Sequence, residues 1–533
     1  MSQDSAVRQL IDRILPRAQE LMIQSAHASW TRETNATPEN AAAAAQISRE
    51  LRTYYSDPAV YAELKALQDA GGAADPVLNR QLQQLVRTYR ANQISPEEIA
   101  ELVERESELS QLFASFRATY QGDQVSDNQL GEVFQHENDS AKRKEAWLAS
   151  KQIGALAAEK IRALARLRNQ IARKFGFRDY FAMTLDNQEI DEQELLETFD
   201  RLRQTSDAAF RTEKAALDAE LAERFGVKPE EIMPWHYSNP FFQSAPAAKG
   251  GPNLNQYFAA RDIAQISIES YDAVGLNVRD ILERSDLYER PGKMQHAFCT
   301  NLDRKGDVRI LCNLKPTQGW MGTQLHELGH AVYDKYIDPG IPWLLRRPAH
   351  TMTTEAIAML FGRLTNNAIW LTRFAGVPAG EAKAAAAHLH RAEKRNQLVF
   401  SRWGMVMTHF ERALYGNPEQ DLGKVWWDLV QELQLLKKPE GEGRATDWAA
   451  KIHVANYPVY YHNYVLGELT ASQFQAGLER DLGEDWMCQE AAGAWLWQRV
   501  FRPGNLLPWN ERMAKATGEK LNPQHFVDQF VGA

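Results

Sequence analysis

The sequence predicts a mainly α fold broken by one short antiparallel β-hairpin. Two observations carry that expectation: long stretches repeat apolar residues at helical spacing, and one segment pairs short β-prone runs across a glycine-containing turn. A third bears on organisation. Composition is uniform over 533 residues, and no tract reads as a flexible linker.

The chain through about residue 243 reads as long amphipathic helices. Alanines at 41–45 are strong helix formers. The run Glu97-Glu98-Ile99-Ala100-Glu101-Leu102-Val103-Glu104, continued by Leu109 and Leu112, sets charges against an apolar stripe. Longer helices are expected over residues 155–175 and 192–225. Trp235-His236-Tyr237 reads as an aromatic core cluster, with a channel lining as the alternative. Pro240 to Pro252 is the clearest break, and its Gly250-Gly251 pair suits a surface loop or a hinge. The hairpin is expected at residues 295–300 and 308–313 around Lys305-Gly306-Asp307. Leu325, Leu328, Val332 and Tyr336 then recur at helical spacing, with Thr323 the expected N-cap. Pro339-Gly340-Ile341-Pro342 ends that helix, and Thr354-Glu355 opens the next, which runs to Phe361.

The helix between them carries His326-Glu327-Leu328-Gly329-His330. Histidines four apart share a face, with Cβ atoms roughly 5–6 Å apart, so both rings can reach one ion at about 2.0–2.1 Å. Glu327, beside the pair, suits a general base toward water. Two hydrogen-bonded core histidines are the alternative; the helical context favours zinc. A catalytic zinc takes three protein ligands. The extended His-x-x-Gly-x-x-His form is excluded, because Tyr333 and Tyr336 stand where glycine and histidine would be needed. Glu355, followed by Ala356, Ile357, Met359, Leu360 and Phe361, is costly to bury unless paired or metal-bound, which makes it the expected third ligand. His350 is the alternative ligand, and a helix-dipole role is the alternative for Glu355.

Hydrolysis also needs donors for a developing oxyanion. Candidates cluster between Asp447 and Glu468, where Lys451, His453, Tyr457, Tyr460, Tyr461, His462 and Tyr464 crowd together. Core packing is the competing reading of such an aromatic run.

Further matches extend these: Asp286-Leu287-Tyr288-Glu289-Arg290-Pro291, His296-Ala297, Arg309-Ile310, Glu355-Ala356-Ile357, Trp426-Trp427, Lys451-Ile452-His453, Tyr461 with Tyr464, Arg502-Pro503, Pro508-Trp509 and Thr517-Gly518-Glu519. On these residues the chain resembles the angiotensin-converting-enzyme family of zinc peptidyl-dipeptidases and, more distantly, the thimet-type oligopeptidases. The first third is similar only as helix-rich sequence. The resemblance implies an ellipsoidal, two-lobed helical metallopeptidase with a deep central cleft that admits unfolded oligopeptides, and a hairpin beside the zinc site. It implies one Zn2+ held by His326, His330 and Glu355, with Glu327 as base and later proton donor. It further implies that His453 and Tyr464 stabilise the oxyanion, that Lys451 and Tyr461 receive the substrate's C-terminal carboxylate, and that His296-Ala297 belong to an edge strand pairing with substrate backbone. Lys451 would then select release of C-terminal dipeptides; a solvated lysine is its alternative reading.

Four departures qualify the likeness. Asn463 replaces an arginine that helps hold an activating chloride, which argues against chloride activation. Met359 replaces an acidic residue, so support for a zinc histidine must come from elsewhere. The segment from His453 to Tyr464 is one residue longer than in the animal enzymes, leaving Tyr461 as the second candidate for the oxyanion. Gln295 replaces the first cysteine of a hairpin disulfide while Cys312 remains; Cys299 could pair with it, but three cysteines read as reduced thiols.

With 61 basic and 70 acidic residues and a net charge of −9, nothing favours nucleic acid or an anionic membrane as partner. The N-terminus has charges where a signal peptide needs an apolar stretch, and no run approaches the about 20 apolar residues of a membrane span. A cytoplasmic protein is expected, or a periplasmic one if a leader preceded this numbering. Site residues spread from His296 to Tyr464, so one catalytic unit is expected over 1–533, with a helical lobe at about 1–243 and a zinc-site lobe at about 254–533, interleaved. Two rival readings are a thimet-type oligoendopeptidase and a zinc-free helical peptide-binding protein. No signal speaks to oligomeric state.

Overall fold

The computed structural model describes residues 2–246, 250–441 and 443–532. The fold is mainly α. Several helices begin at a proline behind a capping side chain, as at Thr37-Pro38, Asp57-Pro58, Asp75-Pro76 and Ser95-Pro96, where the missing N–H costs nothing and the cap satisfies an orphan donor. Ser95 and Glu98 complete a capping box for the helix Pro96–Ser115. The alanine tract lies in the helix Pro38–Tyr55. The helix expected from 155 starts earlier, running Ser140–Lys174 behind the Asp139 cap. The next spans Glu192–Phe225 and stops at Gly226, whose φ of 65° favours glycine.

Among the described residues there are two short antiparallel hairpins. The expected one pairs Phe298–Asn301 with Val308–Leu311, Phe298 opposite Leu311. Its strands are shorter than expected: His296 and Ala297 precede the first, and His296 is exposed. The cause is local, since the Asn313 amide donates to Met294 O and Gln295 O at 3.1 and 3.0 Å, using a side chain where a ladder would continue. The second hairpin, Ala118–Tyr120 with Asp123–Val125, was not expected because three-residue strands leave no readable alternation. Cys299 pairs with Ile310, which leaves it diagonal to Cys312 at roughly 7–8 Å, too far for a disulfide without backbone movement; Cys299, Cys312 and Cys488 are free.

Two helix starts correct the sequence expectation. The motif helix is Gln318–Lys335, capped by Thr317, whose hydroxyl accepts from Trp320 N at 3.2 Å. Thr323 lies inside it and bonds Gly319 O at 3.1 Å; Gly319 and Gly322 depress helix propensity and hide the first turn. The next helix is Thr351–Gly362, capped by His350, so Glu355 sits in its second turn rather than opening it.

Contacts divide the chain into two compact units. One comprises Met1–Ile94, Gly250–Leu389 and Gly467–His525. Its first helices close around Val7, Leu10, Leu82, Leu85 and Tyr89, joined by Trp343 and Leu344 from far along the chain. The other comprises Ser95–Lys249, His390–Leu466 and Phe526–Ala533. It is built on buried Trp147, Trp403, Trp426, Trp427 and Trp448. Trp235 and Tyr237 are buried there, and their carbonyls accept from Arg143 at 2.8 and 2.7 Å, in keeping with the core reading. Of the expected break, residues 247–249 lie outside the described residues. No helix among the described residues is long and apolar enough to cross a membrane.

Candidate active site

The helices Gln318–Lys335 and Thr351–Gly362 meet backbone to backbone. A β-carbon at Gly329 would lie 2.7 Å from Ala358 Cα and 3.0 Å from Ile357 O, and one at Gly362 would lie 3.2 Å from His326 Cβ. The glycines therefore permit an approach that seats Glu355 against the histidine pair. His326 Nε2 is 3.4 Å from Glu355 Oε1, and His330 Nε2 is 3.5 Å from Glu355 Oε2. The two imidazoles stand at 86° with centroids 5.0 Å apart. A tetrahedral ion with bonds of about 2.0–2.1 Å has ligand–ligand edges of about 3.3–3.4 Å, so this donor set fits zinc. His350, the alternative ligand, instead accepts from Met352 N through Nδ1 at 3.0 Å.

Burial pushes the His326 and His330 imidazoles down to about 4 and about 3, His326 adding to the effect on His330. Both are therefore neutral, the form that ligates metal. Burial, and then the neighbouring Glu355, pushes the Glu327 carboxyl up to about 8, and burial raises Glu355. Two crowded carboxyls facing neutral imidazoles are what a dication would neutralise. Support for His330 comes from Thr354, whose Oγ1 lies 2.8 Å from Nδ1. Thr354 takes the role that Met359 cannot, and sequence reasoning passed over it although it adjoins Glu355.

Of the other candidates, His296 and Ala297 belong to the same unit as the triad, whereas Lys451, His453, Tyr461 and Tyr464 belong to the second. Lys451 is buried, which removes the solvated-lysine reading; its Nζ donates to Gln243 Oε1 at 2.5 Å and lies 5.3, 5.3 and 5.8 Å from the Phe241, Trp403 and Tyr461 ring centroids. Desolvation pulls its amine down to about 8. His453 is half-buried, 4.9 Å centroid to centroid from Tyr461, and its Nδ1 makes no hydrogen bond among the described residues. Burial and then Lys451 hold it down to about 4, a neutral ring with one N–H to donate. Tyr461 is buried and pushed up to about 12 by desolvation, so it stays a donor; Tyr464, half-buried, lies 5.4 Å from it. Asn463 Nδ2 donates to Gln188 Oε1 at 2.8 Å. Gln243 and Gln188 had no sequence signal, being 208 and 275 positions from their partners.

Comparison with known proteins gives two family matches. The model described as Angiotensin-converting enzyme matches residues 1–236, and that described as Peptidase family M3 matches residues 133–532, which hold every site residue above. The chain is also 24% identical over 263 residues to carboxypeptidase 1 of Bacillus subtilis (strain 168), covering 44% of this chain and 51% of that protein. The match thus spans about half the length of that curated relative. With the M3 match running over most of its length, the chain belongs to peptidase family M3, a family of zinc-dependent peptidases.

Proposed function

We propose that this protein is a zinc metallopeptidase that hydrolyses short unfolded peptides and releases C-terminal dipeptides, residues 1–533 forming a single catalytic unit. Family membership supports the peptidase class, and the spacing of His326, His330 and Glu355 supports zinc. The observation that carries the C-terminal specificity is Lys451, a buried cation with an aromatic surround and one neutral hydrogen-bond partner. A substrate carboxylate would supply the charge it lacks. Similarity to a protein named carboxypeptidase points the same way.

A zinc ion held by the triad would polarise the scissile carbonyl and acidify water. Glu327 takes the proton from the attacking water and passes it to the leaving amine. His453 and Tyr464 donate to the carbonyl oxygen as it becomes anionic, Tyr461 being the second candidate. Lys451 and Tyr461 hold the terminal carboxylate, and the backbone at His296-Ala297 aligns the chain.

The test is mass spectrometry of products from a free-acid peptide and its C-terminal amide, with and without a zinc chelator. Successive dipeptide loss from the acid only, stopped by chelator, is expected. Single-residue release would make it a carboxypeptidase in the narrow sense, and internal cuts in both peptides an oligoendopeptidase. No cleavage by zinc-loaded protein would remove the peptidase reading.

A further inference from the structure

Between the helix Ile452–Asn456 and the helix starting at Tyr461, the chain turns through Val459, whose φ is 54°. A β-branched residue in the left-handed region is a genuine outlier, retained only where surroundings hold it. Here both of its backbone groups are gripped by side chains. Val459 N donates to Glu411 Oε1 at 2.8 Å, and Val459 O accepts from Gln188 Nε2 at 3.1 Å. Gln188 Oε1 also takes Asn463 Nδ2 and His462 Nε2, each at 2.8 Å. Upstream, Arg168 Nη2 donates to Ala455 O at 3.3 Å. Val459 and Glu411 are each 1% exposed, so the Glu411 clamp does not compete with solvent.

We infer that Glu411 and Gln188 are positioning residues for the reaction: by holding Val459 in its left-handed turn they set His453 against Tyr461 and Tyr464. This rests on the proposed role of those residues in peptide hydrolysis. The spacing they preserve is tight, 4.9 Å from His453 to Tyr461 and 5.4 Å on to Tyr464 between ring centroids. Relaxation of Val459 to an ordinary φ would rotate the first turn of the following helix, and both tyrosines with it. Loss of either clamp therefore weakens transition-state stabilisation without touching the metal ligands.

The test compares zinc-loaded wild-type protein with Glu411→Met, Glu411→Gln and Gln188→Met, measuring kcat, zinc content, thermal midpoint and affinity for a phosphinic peptide that mimics the tetrahedral anion. Glu411→Met is expected to lower kcat and phosphinic-peptide affinity in parallel, each at least roughly tenfold, with zinc content kept. Glu411→Gln, which retains an oxygen acceptor for Val459 N, restores both. Gln188→Met, at a half-buried site, serves where Glu411→Met does not fold. Wild-type kcat in folded Met variants overturns the inference, as does a loss that merely tracks unfolding or is not restored by Gln. If the variants are unaffected while wild type cleaves peptides, only the positioning role falls; if zinc-loaded wild type cleaves nothing, the function and this role fall together.

Discussion

Gly329 faces the backbone of Ala358 with no room for a side chain: a β-carbon there would lie 2.7 Å from Ala358 Cα. That contact brings Glu355 of the second helix to 3.4 and 3.5 Å from His326 and His330 on the first. In the proposed zinc centre, affinity would thus depend on helix packing as much as on ligand identity.

Gly329→Ala is therefore expected to push the Glu355 helix away and weaken zinc binding by at least roughly tenfold, since misplaced ligand support costs this much. Gly319→Ala, in the same helix with nothing within 4 Å of the added carbon, is the contrast; it gains up to about 1 kcal/mol of helix propensity. Competition with a chromogenic chelator and thermal melts of both variants check the opposite signs.

Thr354→Val keeps the shape beside His330 but removes the hydroxyl 2.8 Å from Nδ1. Zinc affinity is expected to fall by about 10–100-fold with the fold intact. Calorimetric titration of the apoprotein measures it. An unchanged affinity would mean that Thr354 does not orient the ring.

Glu327→Gln is expected to retain stoichiometric zinc while turnover drops by roughly 10²–10⁴-fold, the usual share of general acid–base catalysis. Metal analysis beside peptide kinetics separates the two. Near-wild-type turnover would sink the base assignment.

Lys451 gives a pH signature. With its amine lowered to about 8 by burial, kcat/KM for a free-acid peptide should decline as pH rises through about 8, because the free enzyme loses the cation; the amidated peptide should show no such limb. The stability sign is independent of substrate. An unfolded lysine holds its proton to about 10.4, so between the two values the unfolded chain binds more protons and folded stability rises with pH. Lys451→Met should raise stability at pH 7 by on the order of 1–3 kcal/mol while abolishing the preference for a free C-terminus. Denaturant melts and paired-substrate kinetics read both.

Local sequence was a good guide where local physics decides. The bounds of Glu192–Phe225 were legible because apolar spacing, an Asp191 cap and a terminal Gly226 all agree. The motif histidines were legible because i, i+4 spacing on a helix needs no tertiary information. Helix starts at Gln318 and Thr351 were misplaced where glycines or a histidine cap blur the signal, and the 118–125 hairpin was too short to read.

By itself the sequence determined the helical class, the histidine pair with its adjacent glutamate, and the expectation of Glu355 beside them, because each follows from periodicity within a turn or two or from the cost of burying a charge among apolar neighbours. Only the tertiary structure decided that Thr354 supports His330, that Lys451 is buried against Gln243, and that Glu411 and Gln188 grip Val459. Most of these contacts join residues tens to hundreds of positions apart. Their energy comes from desolvation and packing of surfaces that meet only after folding, and no spacing along the chain encodes it.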